Sequence, residues 1–280
     1  MTAELLRNFP VDQEQLEAFR SQVSPLFEKQ PELYYEKDIQ RFQNDDLYAH
    51  KFLAHQAYLD QDLKNLIEKA TKMVDENFKW RKEFGVQDIK REDLPDEFFE
   101  RKGCIYLKED KDGRQVVIIK VNKLRKTRPG EREIGERFLI YWLENIYQKN
   151  NYGVTIIIDC TDAGLSNVNM DMVEFANFIF RRHYPCFLGY FLVFNLPWLL
   201  EAVWNIIKRF LPQSGIDRIK FVDKKTIMEY VEADKLPEYL GGNDKSELQY
   251  HESLVDTALL FQDKVDESSV SNALTTPSCA

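Results

Sequence analysis

Three short apolar segments in the second half of the chain constrain the fold more than any other feature. They are VTIIID at residues 154–159, YFLVF at 190–194 and IKFV at 219–222, and each is rich in β-branched or aromatic residues. Strands that lack alternating polar residues are typical of a parallel sheet covered on both faces. Helical patterns separate or follow these segments, so the sequence predicts a mainly parallel α/β sheet. We expect those helices at residues 133–149, 170–183, 197–211 and 224–233.

A hairpin is predicted to precede these strands. Residues 105–107 and 116–121 are strand-like and flank Asp112-Gly113. Asp-Gly favours a tight two-residue turn because both positions tolerate positive φ. The sequence therefore predicts two antiparallel strands joined by such a turn.

The first hundred residues have a different pattern. Apolar residues such as Ala70, Val74 and Phe78 recur every three or four positions within a highly charged background, which predicts an all-helical region from residue 12 to about 100. Gly85 and a proline-containing acidic stretch close this region. We expect a helical extension at residues 1–44, a helical module at 45–94, the α/β domain at 95–245 and a polar tail at 246–280.

Charge and targeting signals exclude several classes of protein. The 280 residues carry 47 acidic and 38 basic side chains, a formal net charge of −9, which argues against nucleic acid as a partner. The N-terminus lacks the apolar core of a signal peptide, so we expect a cytoplasmic protein. Residues 183–200 contain no Asp, Glu, Lys or Arg, but Gly189, Asn195 and Pro197 interrupt them. We interpret this stretch as strand, turn and helix, not as a membrane span.

The cysteine spacing and the glycine patterns do not indicate a metal site, a nucleotide-binding loop or a catalytic nucleophile. The four cysteines are widely spaced, so neither a disulfide framework nor a zinc site is indicated. The chain has no G-x-G-x-x-G, no P-loop and no G-x-S-x-G. No cofactor and no metal are therefore expected.

Two aspartates and three histidines need an explanation. Asp159 and Asp162 follow a strand, where carboxylates could bind magnesium or transfer protons, but such residues before Gly164 are also typical of a turn. His50 and His55 are poorly spaced for a shared metal. His183 closes a predicted helix, where a favourable interaction with the helix dipole accounts for it.

The segment WLLEAVWNIIKRFL at residues 198–211 is unusually apolar for a helix. Its polar residues form only a narrow stripe, and apolar side chains cover the rest of the circumference. One interpretation is a helix enclosed in the core. The other is a helix whose second apolar face meets a lipid or a bilayer. The polar stripe consists of Glu201, Asn205, Lys208 and Arg209.

A local basic stretch lies within this acidic chain. Residues 120–132 contain six basic side chains and one acidic side chain, Glu131. The stretch can form a solvated loop that balances the acidic residues 90–100, or it can attract anionic lipid headgroups. Its basic members are Lys120, Lys123, Arg125, Lys126, Arg128 and Arg132.

Several motifs together resemble the CRAL-TRIO family of lipid-binding and lipid-transfer proteins over residues 45–243. Asp46-Leu47, Lys51-Phe52-Leu53 and FKWRKEFGV at 78–86 are similar to its N-terminal helical module. HYPCFLGYFLVFNLPW at 183–198 is similar to its most specific block, and LPEYLGGN at 236–243 is similar to its closing motif. KRFLPQSGIDRIKF at 208–221 fits the segment that joins the gate helix to the last strand.

The resemblance implies an apolar cavity that has the sheet as its floor and is closed by a gate helix at residues 198–211. Its implied partners are a hydrophobic small molecule or a phospholipid and, transiently, a membrane surface. It implies no enzymatic activity. Burial of a lipid tail would supply about 0.8 kcal/mol per CH₂ group. The cavity and gate residues that we expect are Ile156, Ile158, Leu192, Phe194, Trp198, Val203, Trp204 and Ile207.

Departures from the family pattern concern the headgroup. Phosphatidylinositol-binding members carry an acidic residue where this chain has Cys186, and His55 stands where many relatives have a basic residue, whereas Arg218 fits a basic position. We expect Arg218, Lys123, Arg125 and Lys126 to meet a headgroup or a membrane surface. Two alternatives stay open: a protein–protein adaptor with a collapsed cavity, and a hydrolase or phosphatase that uses the two aspartates.

Overall fold

The N-terminal part of the chain is helical, as the sequence predicts. The computed structural model describes residues 9–59, 64–101, 103–125, 128, 130–148, 153–209 and 211–245. The Asp12 carboxylate caps the first helix by accepting a hydrogen bond from the Gln15 backbone N–H, and Gly85 ends the fourth helix with a φ of 75°. The helices are α1 (Gln13–Lys29), α2 (Glu36–Asn44), α3 (Asp46–Leu59), α4 (Leu66–Phe84) and α5 (Asp96–Glu100).

A buried ion-pair network joins this helical part to the following domain. The Arg81 side chain on α4 is completely buried. Its Nε donates to the Asp38 carboxylate at 2.8 Å, and its two terminal nitrogens donate to the Glu144 carboxylate at 2.9 Å each. The Tyr184 hydroxyl donates to the same Glu144 carboxylate at 2.7 Å. Every polar group in this network therefore has a partner, which is what makes a buried charge tolerable.

The predicted α/β architecture is confirmed. One five-stranded sheet has the order β1-β2-β3-β4-β5, in which β1 and β2 are antiparallel and all other neighbours are parallel. Two long helices connect β2 to β3 and β3 to β4. The bounds are β1 (Cys104–Glu109), β2 (Gln115–Lys120), α6 (Arg132–Tyr147), β3 (Val154–Asp159), α7 (Met170–Arg182), β4 (Leu188–Phe194), α8 (Glu201–Ile207), α9 (Gln213–Ile216) and β5 (Ile219–Val222).

The two faces of the sheet have different coverings. Side chains alternate along a strand, so the pairing register assigns each residue to a face. On one face, which we call the helix-side face, Val117 and Ile156 pack in one cluster with Ile140 of α6 and Ile179 of α7. The opposite or back face packs against residues 226–240. Its fully buried members are Ile105, Val116, Ile118, Ile157, Leu192, Phe194 and Val222, and Leu107 and Tyr190 are partly buried against them.

Three predicted elements differ from the structure. The hairpin is confirmed, but its loop is longer than predicted and spans residues 110–114. Gly113 has a positive φ, whereas Asp112 does not. The Asp110 carboxylate organises the loop by accepting hydrogen bonds from the backbone N–H groups of Asp112 and Arg114. The predicted helix at 224–233 is wrong. The chain forms short 3₁₀ turns there. The Tyr230 carbonyl oxygen accepts a hydrogen bond from the Lys111 N–H at 3.0 Å, so it is not engaged in an α-helical hydrogen bond.

The helix predicted at residues 197–211 is much shorter than expected. A 3₁₀ turn at Trp198–Leu200 leads into α8, which ends at Ile207. The interpretation of residues 183–200 as strand, turn and helix is confirmed. Among the described helices, none is both long enough and apolar enough to cross a membrane.

Candidate functional site

The helix-side face of the sheet is apolar but only partly covered. Val117 and Ile156, near the middle of their strands, are buried to 5% and 3% exposure. Two positions further along, Ile119 and Ile158 keep accessible surface, and Phe221 on β5 is 49% exposed. On this face the partly covered or exposed side chains come from all five strands: Cys104, Tyr106, Ile119, Ile158, Phe191, Val193, Ile219 and Phe221.

Cys104 and Tyr106 at the β1 end of this face lie beside α6. Cys104 and Tyr106 on β1 are not fully buried, yet both lie in strongly desolvating surroundings. Burial raises the pKa of the Cys104 thiol to about 12, and burial followed by the nearby Cys104 and Tyr141 raises the pKa of Tyr106 well above 10. The Tyr106 ring also stacks on Trp142 of α6, with centroids 4.9 Å apart. The β1 end of the helix-side face therefore packs closely beside α6.

The segment after β4 lies at the carboxyl end of the parallel strands. Leu200 anchors it in a small cluster with Cys160 and Ala163, against which Val203 also packs. No residue of α8 itself is buried, and Trp198 is 82% exposed. The interpretation of this segment as a helix enclosed in the core is therefore wrong. A short helix that is apolar on several sides instead lies at the surface.

Trp204 connects α8 to the last strand. Its ring meets Phe221 edge to face, with centroids 5.3 Å apart and an angle of 75° between the ring planes. Phe221 belongs to the helix-side face, because it pairs with Val193, which pairs with Ile158. The structure thus brings Trp204, Phe221 and the partly covered sheet face together. Ile207, also expected at this site, is partly exposed at the end of α8.

The expected cavity residues do not all share one face. Ile156 and Ile158 lie on the helix-side face, as a common site requires. Leu192 and Phe194 pair with Ile157 and Asp159, so their side chains lie on the back face and have 0% exposure. Placing them with Ile156 and Ile158 is wrong, because adjacent strands in register keep alternate residues on opposite faces.

Sequence reasoning missed the neighbours of these two residues. Phe191 and Val193 are the β4 members of the partly covered face, and Ile119 and Phe221 complete it on β2 and β5. The alternation along each strand is a usable signal once one residue has been assigned to a face. The sequence does not supply that first assignment, because both faces of β3 and β4 are apolar.

The basic residues expected at a membrane surface are largely paired within the protein. Arg125 forms a two-pronged ion pair with Glu131, at 2.5 and 2.9 Å, and lies 3.6 Å from Glu97. Arg128 lies 3.5 Å from Glu131 and 3.9 Å from Glu97. This favours the interpretation in which the basic stretch balances the acidic residues 90–100. Lys123 is exposed, and Lys126 lies outside the described residues.

Arg218 lies at the other end of the sheet from Lys123. Its Nη1 donates to the Leu188 carbonyl oxygen at 2.6 Å, and its guanidinium lies 4.9 Å from the centre of the Tyr58 ring. Leu188 begins β4, whereas Lys123 follows the carboxyl end of β2. The structure therefore does not join these basic residues into one headgroup site.

Cys186 occupies a tightly packed position in the turn before β4. Its backbone has a φ of 51°, its N–H donates to His55 Nδ1 at 3.2 Å, and its Sγ donates to the Lys51 carbonyl oxygen at 3.5 Å. His55 Nε2 in turn lies 3.0 Å from the Arg181 carbonyl oxygen. Burial, followed by the charges of Arg218 and Arg181, lowers the pKa of His55 to about 4, although the Arg181 carbonyl opposes that shift. His55 is thus neutral and connects α3 to the end of α7.

The other candidate polar residues have structural roles. The Asp159 carboxylate is buried and accepts a hydrogen bond from the Thr161 N–H at 3.0 Å, while Asp162 is exposed in the following turn with a φ of 57°. His50 lies 2.8 Å from the Phe9 carbonyl oxygen. In the described parts of the chain, no group of three or more His, Cys, Asp or Glu side chains is placed to hold a metal ion.

The explanation of His183 by the helix dipole is wrong. A favourable interaction with the dipole requires a charged imidazole, but His183 is buried and stacks on Trp80 with centroids 3.9 Å apart. Burial, followed by the charges of Arg182 and Arg81, lowers its pKa to about 3. The side chain is therefore a neutral part of the core between α4 and α7.

Comparisons with known proteins agree with this fold and with the resemblance in the sequence. The Sec14 cytosolic factor of Schizosaccharomyces pombe is 30% identical over 193 residues, which cover 59% of this chain and 65% of that protein. The phosphatidylinositol transfer protein CSR1 of Eremothecium gossypii is 32% identical over 92 residues, or 32% of this chain and 21% of that protein. This chain therefore spans less than two thirds of the length of either relative.

The fold is also that of a solved structure. The crystal structure of Sfh5 matches with a TM-score of 0.64 at 15% sequence identity, and the match covers 89% of this chain and 97% of that one. A family model described as CRAL/TRIO domain matches residues 99–242, which is more than half of the chain and contains all five strands and α8. The chain belongs to the CRAL/TRIO domain family.

Proposed function

We propose that this protein binds a lipid in an apolar cavity between the helix-side face of the sheet and α8, and that it transfers the lipid between membranes without catalysing a reaction. The single observation that carries the proposal is the contrast between the two faces of the sheet. Most of the apolar side chains that line the back face in the described strands are fully buried, and Leu107 and Tyr190 are partly buried there, whereas on the helix-side face every strand has at least one apolar side chain that keeps accessible surface. A soluble domain gains nothing from a half-covered apolar sheet unless something else covers it.

The partly covered side chains Ile119, Ile158 and Val193 lie side by side on β2, β3 and β4, which supports one continuous apolar surface for a ligand. A ligand placed there would exchange water for apolar protein surface, at about 0.8 kcal/mol for each buried CH₂ group. The names of the relatives support the class of ligand: one is called a phosphatidylinositol transfer protein. A phospholipid or a hydrophobic small molecule fits this site.

The 198–207 segment is proposed as the gate. Leu200 fixes its first turn, and Trp204 closes onto Phe221, but no residue of α8 is buried. The segment can therefore swing outward at the cost of a few side-chain contacts. Opening it against a bilayer would avoid exposing the apolar sheet face to water, so the lipid would be exchanged during a transient association with a membrane.

Two residues that bear on the headgroup, Cys186 and Arg218, make contacts within the protein. Cys186 stands where an acidic residue is expected for phosphatidylinositol, and it packs against His55 and Lys51. Arg218 is engaged by Leu188 and Tyr58. We therefore propose a lipid class defined by its apolar chain, without a preference for inositol.

Native mass spectrometry of the purified protein, followed by organic extraction, tests the proposal. We expect one lipid per protein, either retained from the expression host or acquired from mixed liposomes. The variant Ile158→Trp, which adds a large ring to the partly covered face, should remain folded and lose the lipid. A protein that stays free of lipid after incubation with liposomes would contradict the proposal and would favour the adaptor alternative.

A further inference from the structure

The exposed apolar side chains concentrate at one end of the sheet. Five of the eight exposed large apolar residues in the described chain lie at or just beyond the carboxyl ends of the parallel strands. Leu124 follows β2 with 39% exposure, Leu165 follows β3 with 56%, and Trp198 follows β4 with 82%. Only Trp198 and Ile206 among these five belong to the gate segment. The loops after β2 and β3 therefore present apolar surface of their own.

The Asn167 side chain forms hydrogen bonds that connect the loop after β2 to the loop after β3. The Asn167 Nδ2 donates to the Leu124 carbonyl oxygen at 2.8 Å and to the Asn122 carbonyl oxygen at 3.3 Å. The Asn167 Oδ1 accepts from the Gly164 N–H at 2.9 Å, which closes the turn that carries Leu165. The two loops that carry Leu124 and Leu165 are thus hydrogen-bonded to each other through Asn167.

A common apolar base lies beneath the three loops. Cys160, Ala163 and Leu200 are buried together. The residues packed against them come from each loop, among them Val121 after β2, Val168 after β3 and Leu199 after β4. The exposed Leu124, Leu165 and Trp198 are therefore outer residues of loops that share one base.

The charges around these residues suit a bilayer surface. Lys123 is exposed directly beside Leu124, and Lys208 and Arg209 are exposed at the end of the gate segment. By contrast, Arg125 and Arg128 are paired with Glu131. The surface thus combines leucine and tryptophan side chains with these cations and with two exposed carboxylates, Asp162 and Glu201, so insertion of apolar side chains is the main expected attraction to a bilayer. Attraction to anionic lipid is only an auxiliary contribution, because most of the arginines are neutralised within the protein.

We infer that Leu124 and Leu165 form a fixed membrane-insertion site, which enters the interfacial layer of a phospholipid bilayer beside Trp198. The inference rests on the proposed lipid exchange at a membrane. Since Asn167 connects the two loops that carry these leucines, the protein stays docked when the gate segment swings away. The gate can then open onto the bilayer instead of onto water.

Vesicle flotation tests this inference with matched leucine variants. Leu124→Asp and Leu165→Asp should each weaken partitioning onto phosphatidylcholine vesicles about tenfold, since each replaces an inserted apolar side chain with a charge. Leu59→Asp is the control: Leu59 has a similar exposure of 42% but ends α3, whose His55 contacts the turn before β4 at the opposite end of the sheet. We expect that variant to bind vesicles like the unchanged protein.

Lipid loading is measured separately by native mass spectrometry, with lipid presented from cyclodextrin so that docking is not required. Loading should be unchanged in both variants. If the double variant Leu124→Asp/Leu165→Asp binds vesicles as well as the Leu59→Asp control does, the insertion site is disproved even if lipid is bound. If no lipid is loaded by any form, the proposed function fails, whatever the vesicles show. If the leucine variants still bind vesicles but no longer bind another protein, the surface is a protein-binding site and the inference is wrong.

Discussion

The ring of Trp204 stands edge-on to the ring of Phe221, with centroids 5.3 Å apart. The contact joins α8 to the exposed edge strand of the sheet. Neither residue is buried, and Phe221 retains 49% of its surface. Edge-to-face pairs of this kind contribute about 0.5–1.5 kcal/mol beyond their buried area. A contact of this size is compatible with the proposed gate, which must stay closed in water and open at a membrane.

The first prediction follows from this contact. Trp204→Asp should abolish lipid transfer between liposomes while the circular dichroism spectrum stays that of an α/β protein, because a charge replaces an apolar side chain at the cavity and no core position is disturbed. Trp198→Asp, in the same segment, is the control for lipid retention measured by native mass spectrometry, because Trp198 lies on the proposed docking surface and its substitution can also affect transfer. This variant should keep its bound lipid, because Trp198 faces solvent. Loss of the folded spectrum in Trp204→Asp would place that side chain in the core.

The second prediction separates two adjacent residues of β4. Leu192 is completely buried on the back face, so Leu192→Ala should lower the free energy of unfolding by about 2–5 kcal/mol and leave lipid binding intact. Phe191 is partly covered on the helix-side face, so Phe191→Ala should cost less stability and weaken lipid retention. Urea denaturation and native mass spectrometry measure the two effects. Equal loss of lipid in both variants would contradict the assignment of the faces.

The order of strands and helices could be predicted from the sequence, but the faces of the sheet could not. The runs VTIIID and YFLVF are apolar at both alternating sets of positions, so each indicates a buried strand without indicating which side meets the helices. The face of each residue depends on pairing between strands that are far apart in the sequence. Ile156 and Ile158 share the helix-side face, whereas Leu192 and Phe194 lie on the back face, and the sequence alone does not distinguish these two outcomes.

The segment after β5 shows a second limit of sequence reasoning. Ile227 and Val231 are four positions apart, which is a helical spacing, and both are buried against the back face. The structure instead forms 3₁₀ turns there, and the Tyr230 carbonyl bonds to the Lys111 N–H from the hairpin loop. A contact with a residue more than a hundred positions away decides the conformation. Local spacing carries no information about such a contact.

The third prediction concerns acid stability. The pKa of His55 is about 4 and that of His183 about 3 in the folded protein, well below the ordinary value of 6.5. As the pH falls below 6.5, the unfolded chain binds protons at these residues and the folded chain does not, so the free energy of unfolding decreases down to pH 4 and below. Each histidine should remove about 1.5 kcal/mol between pH 6.5 and pH 5.

His183→Phe isolates that effect from the protonation of carboxylates. Phenylalanine can keep the stacking on Trp80, and His183 Nδ1 has no hydrogen-bond partner in the structure. Denaturation curves at pH 7 and pH 5 should show a smaller loss of stability in this variant than in the unchanged protein. An identical loss in both would mean that His183 accepts a proton in the folded state.

The fourth prediction concerns the link between the helical part and the α/β domain. Arg81→Met should lower the free energy of unfolding by about 3–5 kcal/mol, because it leaves the carboxylates of Asp38 and Glu144 buried without their cation. Lys79→Met on the same helix is the control. Its ion pair with Asp75, at 2.8 Å, is partly exposed and should be worth no more than about 1 kcal/mol. Similar costs for the two variants would show that the buried network does not stabilise the domain pairing.

The fifth prediction concerns the basic loop after β2. Lys123→Glu should weaken binding to vesicles rich in phosphatidylserine at low salt and have little effect at 0.5 M salt, because an exposed charge is screened within a few ångströms there. Arg125→Glu should also destabilise the loop, because Glu131 then meets a like charge. Binding to neutral phosphatidylcholine vesicles should persist in Lys123→Glu, since apolar insertion does not depend on this charge. If reversal of Lys123 removes binding to neutral vesicles as well, Lys123 contributes to docking by more than electrostatic attraction.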